Sequence, residues 1–286
     1  MTSAPVHPSG SAVPRHCVVL AAGEYYGEAI ATGDAVAADG SVLADESFVV
    51  AADGGLDHAR DAGIVPDFVV GDFDSVSDVA SSPVAADDAH TIVLPREKDD
   101  PDLLSALKLG WREGARVFDV YGALGGRIDH TISALQCAAL VSLHGGLVFL
   151  HGDGTVVVAI TDAALDFPAH EPAGNRMVSV FAHSDEARGV SEPGMKYELA
   201  GATMTNSEVN GVSNEFLPHV PATIDVADGT LLVSYPVGTP RPDWRRHREP
   251  GGTIGDVCTE VSAALSSRAT TGERTSARER ERNDAR

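Results

Sequence analysis

The sequence predicts an α/β protein with a Rossmann-like parallel sheet, helices on both of its faces, a following all-β sandwich or roll, and a disordered tail. Up to about residue 151, short apolar runs alternate with helical patterns, an order typical of a parallel sheet covered by helices. From residue 152, short apolar runs alternate with Gly, Pro and Asn turns, and no helical pattern recurs. After residue 238 both patterns end and Arg, Glu, Ser and Thr dominate, which predicts disorder. The predicted units are therefore 14–151, 152–238 and 239–286.

The composition limits the possible partners and the compartment. With 286 residues, the chain can form one large domain or two modest ones. Its net charge of -21 repels phosphates, so we expect neither nucleic acid nor a membrane as a partner. No apolar run approaches the roughly 20 residues that span a bilayer, and the first 15 residues lack the features of a secretory signal. Three distant cysteines argue against a disulfide framework, so we expect a reducing cytoplasm.

Apolar runs and helix-end signals predict the elements of the first unit. Six runs predict strands that are buried on both faces, at 16–22, 47–52, 68–70, 91–94, 116–121 and 147–150. Helices are predicted at 56–62, from 99–102 to at least Trp111, and at 129–143. In the second of these, Pro101 is expected at the first helical position, and the surrounding aspartates suit the helix dipole.

The second unit begins with Gly152-Asp153-Gly154, which has the residues of a hairpin turn between two apolar runs. Further short runs predict strands at 155–160, 177–182, 222–226 and 230–235.

Two carboxylates one residue apart, Asp72 and Asp74, follow the predicted strand at 68–70. Gly71 lets the chain turn there, and side chains at i and i+2 of an extended chain point to the same side. Two adjacent carboxylates repel each other unless a cation or proton lies between them, and Mg²⁺ binds one or two carboxylates together with substrate phosphates. An isolated pair of this kind is more often a surface turn, so its neighbours decide its meaning.

Four polar clusters fall at the carboxyl ends of successive predicted strands, where ligands bind in open α/β sheets. They are residues 53–55, 71–75, 98–102 and 122–130. Each alone can be explained as a turn or a helix start. Together they offer glycines that let backbone amides approach phosphate, the cations Lys98 and Arg127, and three aspartates for Mg²⁺. This combination predicts phosphoryl or pyrophosphoryl transfer, although no Walker A or G-x-G-x-x-G pattern is present.

The order and spacing of these motifs resemble the thiamine pyrophosphokinase family. The motifs are A-D-G-G at 52–55, P-D-F-V-V-G-D-F-D-S at 66–75, K-D-x-x-D at 98–102 and G-x-x-G-G-R-x-D-H at 122–130. In the second unit, G-M-K-Y-E-L at 194–199 and G-V-S-N-E at 211–215 are similar to motifs of that family's second domain. The resemblance covers roughly residues 16–236 and leaves the tail outside it.

This resemblance implies an α/β domain that binds ATP and Mg²⁺, a β domain that helps to bind thiamine, and a homodimer with thiamine at its interface. It implies transfer of the β,γ-diphosphoryl unit of ATP to the hydroxyethyl oxygen of thiamine, with release of AMP. The implied catalytic residues are Asp72, Asp74, Asp102 and Arg127, of which the three aspartates are also the implied metal ligands. The implied residues for ATP and its phosphates are Asp53, Gly54, Gly55, Lys98, Asp99, Gly125, Gly126 and Arg127. The residues implied near thiamine are Asp129, Ser213 and Asn214.

One departure from the family pattern and three alternatives remain. Pro101 stands where the family usually has Thr, so a hydroxyl contact is lost while the helix start is kept. The alternatives are a pyrophosphokinase for another alcohol such as 6-hydroxymethylpterin, a non-catalytic nucleotide or metal sensor, and a plain α/β domain with solvated Asp caps. Tyr197 and the 211–215 motif argue against the pterin alternative.

Overall fold

The structure is a computed structural model that describes residues 15–27, 30, 47–73, 90–172 and 174–261. Three helices lie within these ranges: α1 (Gly55–Asp61), α2 (Asp102–Arg112) and α3 (Ile128–Leu143). The first six strands are β1 (Arg15–Leu20), β2 (Phe48–Ala52), β3 (Phe68–Gly71), β4 (Thr91–Val93), β5 (Ala115–Tyr121) and β6 (Leu147–Gly152). The remaining strands are β7 (Thr155–Thr161), β8 (Ala163–Phe167), β9 (Met177–Ala182), β10 (Glu186–Val190), β11 (Ala202–Thr205), β12 (Asn214–Glu215), β13 (Ala222–Asp225), β14 (Thr230–Pro236) and β15 (Asp243–Arg246). In the described part of the chain, no helix has both the length and the apolar character needed to cross a bilayer.

Ten strands form one continuous mixed sheet in the order β12-β9-β14-β7-β6-β5-β1-β2-β3-β4. From β6 to β4 all neighbouring strands are parallel. From β6 to β12 they are antiparallel. The other strands form a three-stranded sheet, β13-β8-β15, and a two-stranded sheet, β10-β11. The predicted α/β class, with a parallel part followed by antiparallel β structure, is confirmed.

The predicted boundary at residues 151/152 falls inside a hairpin of the large sheet. Gly152 at the end of β6 is paired with Thr155 at the start of β7, and the chain turns at Asp153, whose φ is +50°. The parallel and antiparallel parts therefore share one hydrogen-bonded sheet.

Alternate residues along the central strands face two different cores, as the pleat of a strand requires. On one face, Val19 and Val120 pack with residues of α2 and α3. On the other face, Val18 packs with Ala59 of α1, while Phe149 of β6 packs with Leu165 of β8. Because both faces are covered, these strands are apolar at nearly every position, which explains the continuous runs in the sequence.

The expectation of a disordered tail from residue 239 is wrong for its first part. β15 pairs antiparallel with β8, with Trp244 opposite Leu165. Further on, Ile254 is only 5% exposed and belongs to the core that contains α2 and α3. Residues 262–286 lie outside the described residues, so disorder stays a prediction for them.

The ordered part of the tail was not predicted from the sequence because ion pairs hold much of it in place. Arg245 lies 3.3 Å from Asp166, and His247 lies 2.8 Å from Asp225. A segment held this way has no alternation of apolar and polar residues, which is the signal that predicts a strand.

Candidate active site

Backbone hydrogen bonds bring the polar clusters together at the carboxyl edge of the parallel strands. The amide of Gly23 donates to the carbonyl of Gly122 at 2.9 Å, which joins the loops after β1 and β5. The amide of Asp53 donates to the carbonyl of Val70 at 2.8 Å, which ties the end of β2 to β3. The loops that carry the predicted site residues thus begin from one shared edge.

Glycines at this edge allow close backbone contacts. A Cβ on Gly55 would lie 1.9 Å from the carbonyl oxygen of Leu20, so only glycine lets α1 start against β1. A Cβ on Gly54 would lie 3.0 Å from the Cβ of Ala22. Between strand and helix, Asp53 is 7% exposed and adopts a φ of +49°, so its carboxylate is held inside the edge.

Lys98 lies between two of the predicted metal ligands. Its Nζ is 3.5 Å from Oδ2 of Asp72 and 3.2 Å from Oδ1 of Asp102. The Lys98 side chain is 7% exposed, so it is buried between the carboxylates. Asp72 follows β3, whereas Asp102 is the first residue of α2, with Pro101 as its N-cap and not its first helical residue.

Burial and charged neighbours both shift the pKa of Asp102, and burial has the largest effect. Burial raises the pKa of Asp102, Lys98 lowers it, and the charges of Asp53 and Asp72 raise it further, so that the net direction is upward. One ammonium does not balance the carboxylates that share this edge. The arrangement therefore suits an additional cation.

Two of the three predicted Mg²⁺ ligands lie at this edge. Asp72 and Asp102 offer hard carboxylate oxygens, and the Lys98 ammonium already occupies a cationic position between them. Asp74, the third predicted ligand, lies outside the described residues. Within the described ranges, no group of three or more His, Cys, Asp or Glu side chains is arranged to hold a metal ion.

The glycine-rich loop after β5 lies beside the loop after β1. A Cβ on Gly125 would lie 1.8 Å from the Tyr26 hydroxyl, and Gly125 has a φ of +80°. Gly126, with a φ of +58°, has the carboxylate of Glu24 3.7 Å from its Cβ position. Tyr26 and Glu24 are hydrogen bonded at 2.9 Å, so the β1 loop forms one wall of this turn.

Arg127 and Asp129 form an exposed ion pair just after this turn. The Arg127 Nη2 donates to Oδ2 of Asp129 at 2.6 Å, and the two side chains are 72% and 62% exposed. The hydrogen bond from Arg127 lowers the pKa of Asp129. Both residues lie at the start of α3, and Arg127 is its N-cap. Asp99, which precedes α2, is also exposed. The structure thus places the predicted cation at the surface of the edge, paired with the residue predicted to lie near thiamine.

Comparison with known proteins decides the family. The family model "Thiamin pyrophosphokinase, catalytic domain" matches residues 40–145, and "Thiamin pyrophosphokinase, vitamin B1 binding domain" matches residues 167–231. The chain belongs to the thiamine pyrophosphokinase family. The first match contains the whole acidic edge, and the second contains strands β9 to β13.

Individual members of the thiamine pyrophosphokinase family support this assignment. The thiamine pyrophosphokinase of Bacillus subtilis (strain 168) is 24% identical over 192 residues, which cover 64% of this chain and 85% of that protein. The crystal structure of the Bacillus subtilis enzyme matches with a TM-score of 0.61 at 20% identity, covering 78% of this chain and 98% of that one. The enzyme from Candida albicans matches with a TM-score of 0.58 at 14% identity, covering 77% and 90% of the two chains. At these identities the structural matches show a shared fold.

The two residues that the family resemblance places near thiamine in the β region differ in their surroundings. Ser213 is exposed at a φ of +64°, and its amide donates to Oγ of Ser179. Asn214 is 7% exposed, and both ends of its amide are engaged. Its Oδ1 accepts from the amide of Tyr197 at 3.0 Å, and its Nδ2 donates to Oε2 of Glu192 at 2.7 Å. Asn214 therefore holds the backbone of Tyr197 and the carboxylate of Glu192 in place.

Sequence reasoning missed two residues that shape these sites, Tyr26 and Glu192. Tyr26 lies in the stretch 24–45, which carried no usable motif, and its role depends on a contact across the sheet edge. Glu192 precedes the 194–199 motif, and no spacing rule distinguishes it from the other acids of this acidic chain. Glu192 differs from the other acids near it in its burial, since it is only 2% exposed.

Proposed function

We propose that this chain is an ATP:thiamine diphosphotransferase that makes thiamine diphosphate and AMP. The observation that carries the proposal is the match of one chain to both family domains, catalytic and vitamin B1 binding. A pyrophosphokinase for a pterin alcohol needs no vitamin B1 binding domain, and a plain α/β domain needs neither match. The Lys98–carboxylate cluster supplies the charges that diphosphoryl transfer requires.

We assign the nucleotide to the carboxyl edge of the parallel strands. Backbone amides at the turn before α1, which holds Gly54 and Gly55, and at the turn before α3, which holds Gly125 and Gly126, bind the phosphates, because both turns start a helix at this edge. Lys98 neutralises charge on the phosphate oxygens, and Arg127 offers its planar donors from the surface. Asp53 and Asp99 orient the nucleotide.

We assign Mg²⁺ to Asp72, Asp74 and Asp102. The support is that Asp72 and Asp102 lie close enough to share one cation, the Lys98 ammonium, at the edge to which we assign the phosphates. When bound, Mg²⁺ neutralises developing charge on the transferred phosphoryl groups. The chain's own contribution is to hold the carboxylates at the edge and to bring Lys98 against the same phosphates.

In this proposal the parallel strands β6-β5-β1-β2-β3-β4 form a Rossmann-like nucleotide-binding unit. In the sheet, β2 to β4 lie on one side of β1 and β5 and β6 lie on its other side. The loops that follow β1 and β5 meet there through the hydrogen bond between Gly23 and Gly122. Ligands of open α/β sheets bind at such a switch point. Strands β7 to β14 form the sandwich or roll of the thiamine-binding unit, with a division near residue 152.

We propose that two copies of the chain form a homodimer with thiamine between them, contacted by Asp129 and Ser213. Apolar side chains are exposed in two places that suit such an interface. Ile128 and Ile132 are 72% and 52% exposed on one side of α3, and Met177 and Phe181 are 42% and 39% exposed on β9. Apolar patches of this kind are typical of subunit contacts. We place the enzyme in the cytoplasm, in accord with its three free cysteines.

One assay tests the proposed function. The purified chain is incubated with ATP, Mg²⁺ and thiamine, and the products are identified by mass spectrometry as thiamine diphosphate and AMP. The same reaction with 6-hydroxymethylpterin in place of thiamine tests the alternative alcohol. AMP release with the pterin and not with thiamine, or ATP binding without AMP from either alcohol, would contradict the proposal.

A further inference from the structure

A pocket of about 290 Å³ opens in the β region, away from the acidic edge. Its walls are largely apolar and include Tyr197, Leu199, Met204 and Val212. Tyr197 and Val212 are 60% and 53% exposed, so they form the rim, whereas Met204 is 2% exposed and lies deep. The volume matches the size of a small heterocyclic ligand.

One buried carboxylate, that of Glu192, lines this pocket. Glu192 is 2% exposed, and within the described part of the chain its Oε1 has no hydrogen-bond partner. An unsatisfied buried carboxylate oxygen carries a substantial desolvation penalty. A ligand that brings an N–H group to Oε1 would remove that penalty.

Asn214 fixes the position of Glu192. Its Nδ2 donates to Oε2 of Glu192 at 2.7 Å and to the carbonyl of Tyr197 at 2.8 Å. Its Oδ1 accepts from the amides of Tyr197 and Glu215. With all its bonding capacity used within the chain, Asn214 holds one carboxylate oxygen still and leaves the other to a ligand.

The charges of the pocket restrict which part of a ligand it can hold. Of the ten described residues that line it, Glu192 alone is charged and none is a Lys or Arg, so a phosphate group would be repelled. Burial raises the pKa of Glu192, and the hydrogen bond from Asn214 opposes that rise. The pocket therefore suits a neutral or cationic ring that carries an N–H donor.

Thiamine has two rings, and only one of them satisfies this requirement. The aminopyrimidine carries an exocyclic amino group, which is a donor, whereas the thiazolium ring has no N–H group. All the pocket residues lie within residues 167–231, the segment matched by the vitamin B1 binding model. The thiazolium and its hydroxyethyl arm would then extend out of the pocket.

We propose that Glu192 is a specificity-determining residue that recognises the aminopyrimidine ring of thiamine, with Oε1 accepting a hydrogen bond from the exocyclic amino group. This inference rests on the proposed function and specifies which side chain selects the substrate. Asn214 is the positioning residue of this pair.

The test compares thiamine with its analogue in which an oxo group replaces the amino group. We expect the wild-type chain to bind thiamine at least tenfold more tightly than the oxo analogue, because two oxygen acceptors would face each other in the analogue complex. Glu192→Gln keeps the shape and places an amide donor towards the oxo group. We expect this variant to lose the preference, with the ratio of the two Kd values near one.

Calorimetry gives the Kd values, and thermal unfolding shows that each variant is folded. Glu198→Gln is the matched control, because Glu198 is an exposed acid on the same turn that accepts only from the amide of Gly194 among the bonds described for it. It should keep the wild-type preference. Should Glu192→Gln fail to fold, Thr203→Trp takes its place: Thr203 is an exposed pocket residue, and the larger side chain should block thiamine binding.

The outcomes separate this inference from the proposed function. AMP release by the wild-type chain together with an unchanged preference in Glu192→Gln, or normal thiamine binding by Thr203→Trp, would overturn the role of Glu192 and leave the proposed function intact. A preference that depends on Glu192 without AMP release would overturn the proposed function and support the pocket. Absence of thiamine binding by the wild-type chain would overturn both.

Discussion

Arg241 and Asp119 form a partly buried ion pair across 122 positions of the chain, with Nη1 of Arg241 2.9 Å from Oδ2 of Asp119. Asp119 lies on β5 and is 1% exposed. Two further side chains reach it, because Nε2 of His16 lies 2.5 Å from its Oδ2 and Nε2 of His151 lies 2.6 Å from its Oδ1. Arg241 also stacks over Phe149, with its guanidinium carbon 4.0 Å from the ring centroid. The ion pair fastens the segment after β14 to the middle of the sheet.

We predict that Asp119→Asn strongly destabilises the fold at neutral pH. The substitution leaves the Arg241 guanidinium, whose side chain is 26% exposed, without a counter-charge, and loss of one partner of a fully buried ion pair, an upper bound for this pair, costs about 3–5 kcal/mol. Urea denaturation measures the change in the free energy of unfolding. Arg245→Ala is the control: it breaks the exposed Arg245–Asp166 pair of the same segment and should change stability by less than about 1 kcal/mol. Similar losses in both variants would contradict the special role of Asp119.

The same carboxylate predicts an acid-sensitive contribution to stability. Burial alone would raise the pKa of Asp119, but Arg241 and the hydrogen bonds from His151 and His16 hold the pKa well below its usual value. A carboxyl whose pKa is lowered by folding contributes stability above its unfolded pKa, near 3.9, and loses it as the pH falls towards the lower folded pKa. The stability difference between wild type and Asp119→Asn should therefore shrink as the pH falls from about pH 5 to below about pH 4. Urea titrations across this range would reveal a constant difference if the prediction is wrong.

These contacts show where sequence reasoning works and where it stops. The strands around Val18 and Val120 were predictable because burial on both faces makes them continuously apolar. The acidic edge was predictable because carboxyl ends of parallel strands share one edge. Arg241 and Glu192 were not, since each depends on a partner far along the chain, Asp119 or Asn214, and no local period records such a pair.

A third prediction concerns Ile254, which belongs to the ordered part of the tail. Ile254 is 5% exposed in the core that includes α2 and α3, so Ile254→Ala should lower the free energy of unfolding by about 2–4 kcal/mol. Val261, which is 60% exposed, provides the control, and Val261→Ala should have little effect. Urea denaturation of both variants measures the difference. An unchanged midpoint for Ile254→Ala would show that residues after β15 add nothing to the core.

A fourth prediction tests the acidic edge. Asp72→Asn should lower kcat at least about 100-fold, because it removes a charge from the site where Mg²⁺ and phosphate are proposed to meet. The fold should persist, since Lys98 keeps its ion pair with Asp102. AMP release is measured for this variant and for Asp61→Asn, an exposed acid at the end of α1 that should remain fully active. Chelation of Mg²⁺ should stop the wild-type reaction, and added Mg²⁺ should restore it. Activity near the wild-type level in Asp72→Asn would remove this residue from the proposed metal site.

The last prediction separates backbone strain from a specific contact in the glycine-rich loop. Gly125 and Gly154 have φ values of +80° and +68°, so alanine at either position carries a similar backbone penalty of roughly 1 kcal/mol. They differ in what a Cβ would meet: the Tyr26 hydroxyl lies 1.8 Å away at Gly125, whereas nothing lies within 4 Å at Gly154.

Gly125→Ala should therefore displace the β1 loop from the proposed phosphate site and raise the KM for ATP about tenfold or more, a change of about 1.4 kcal/mol in binding. Gly154→Ala should leave the KM for ATP unchanged while losing comparable stability. The double variant Tyr26→Phe with Gly125→Ala removes the clashing hydroxyl, and we expect it to recover part of the affinity. Steady-state kinetics and thermal unfolding measure both quantities. Equal KM values for Gly125→Ala and Gly154→Ala would mean that the contact between the two loops does not shape the nucleotide site.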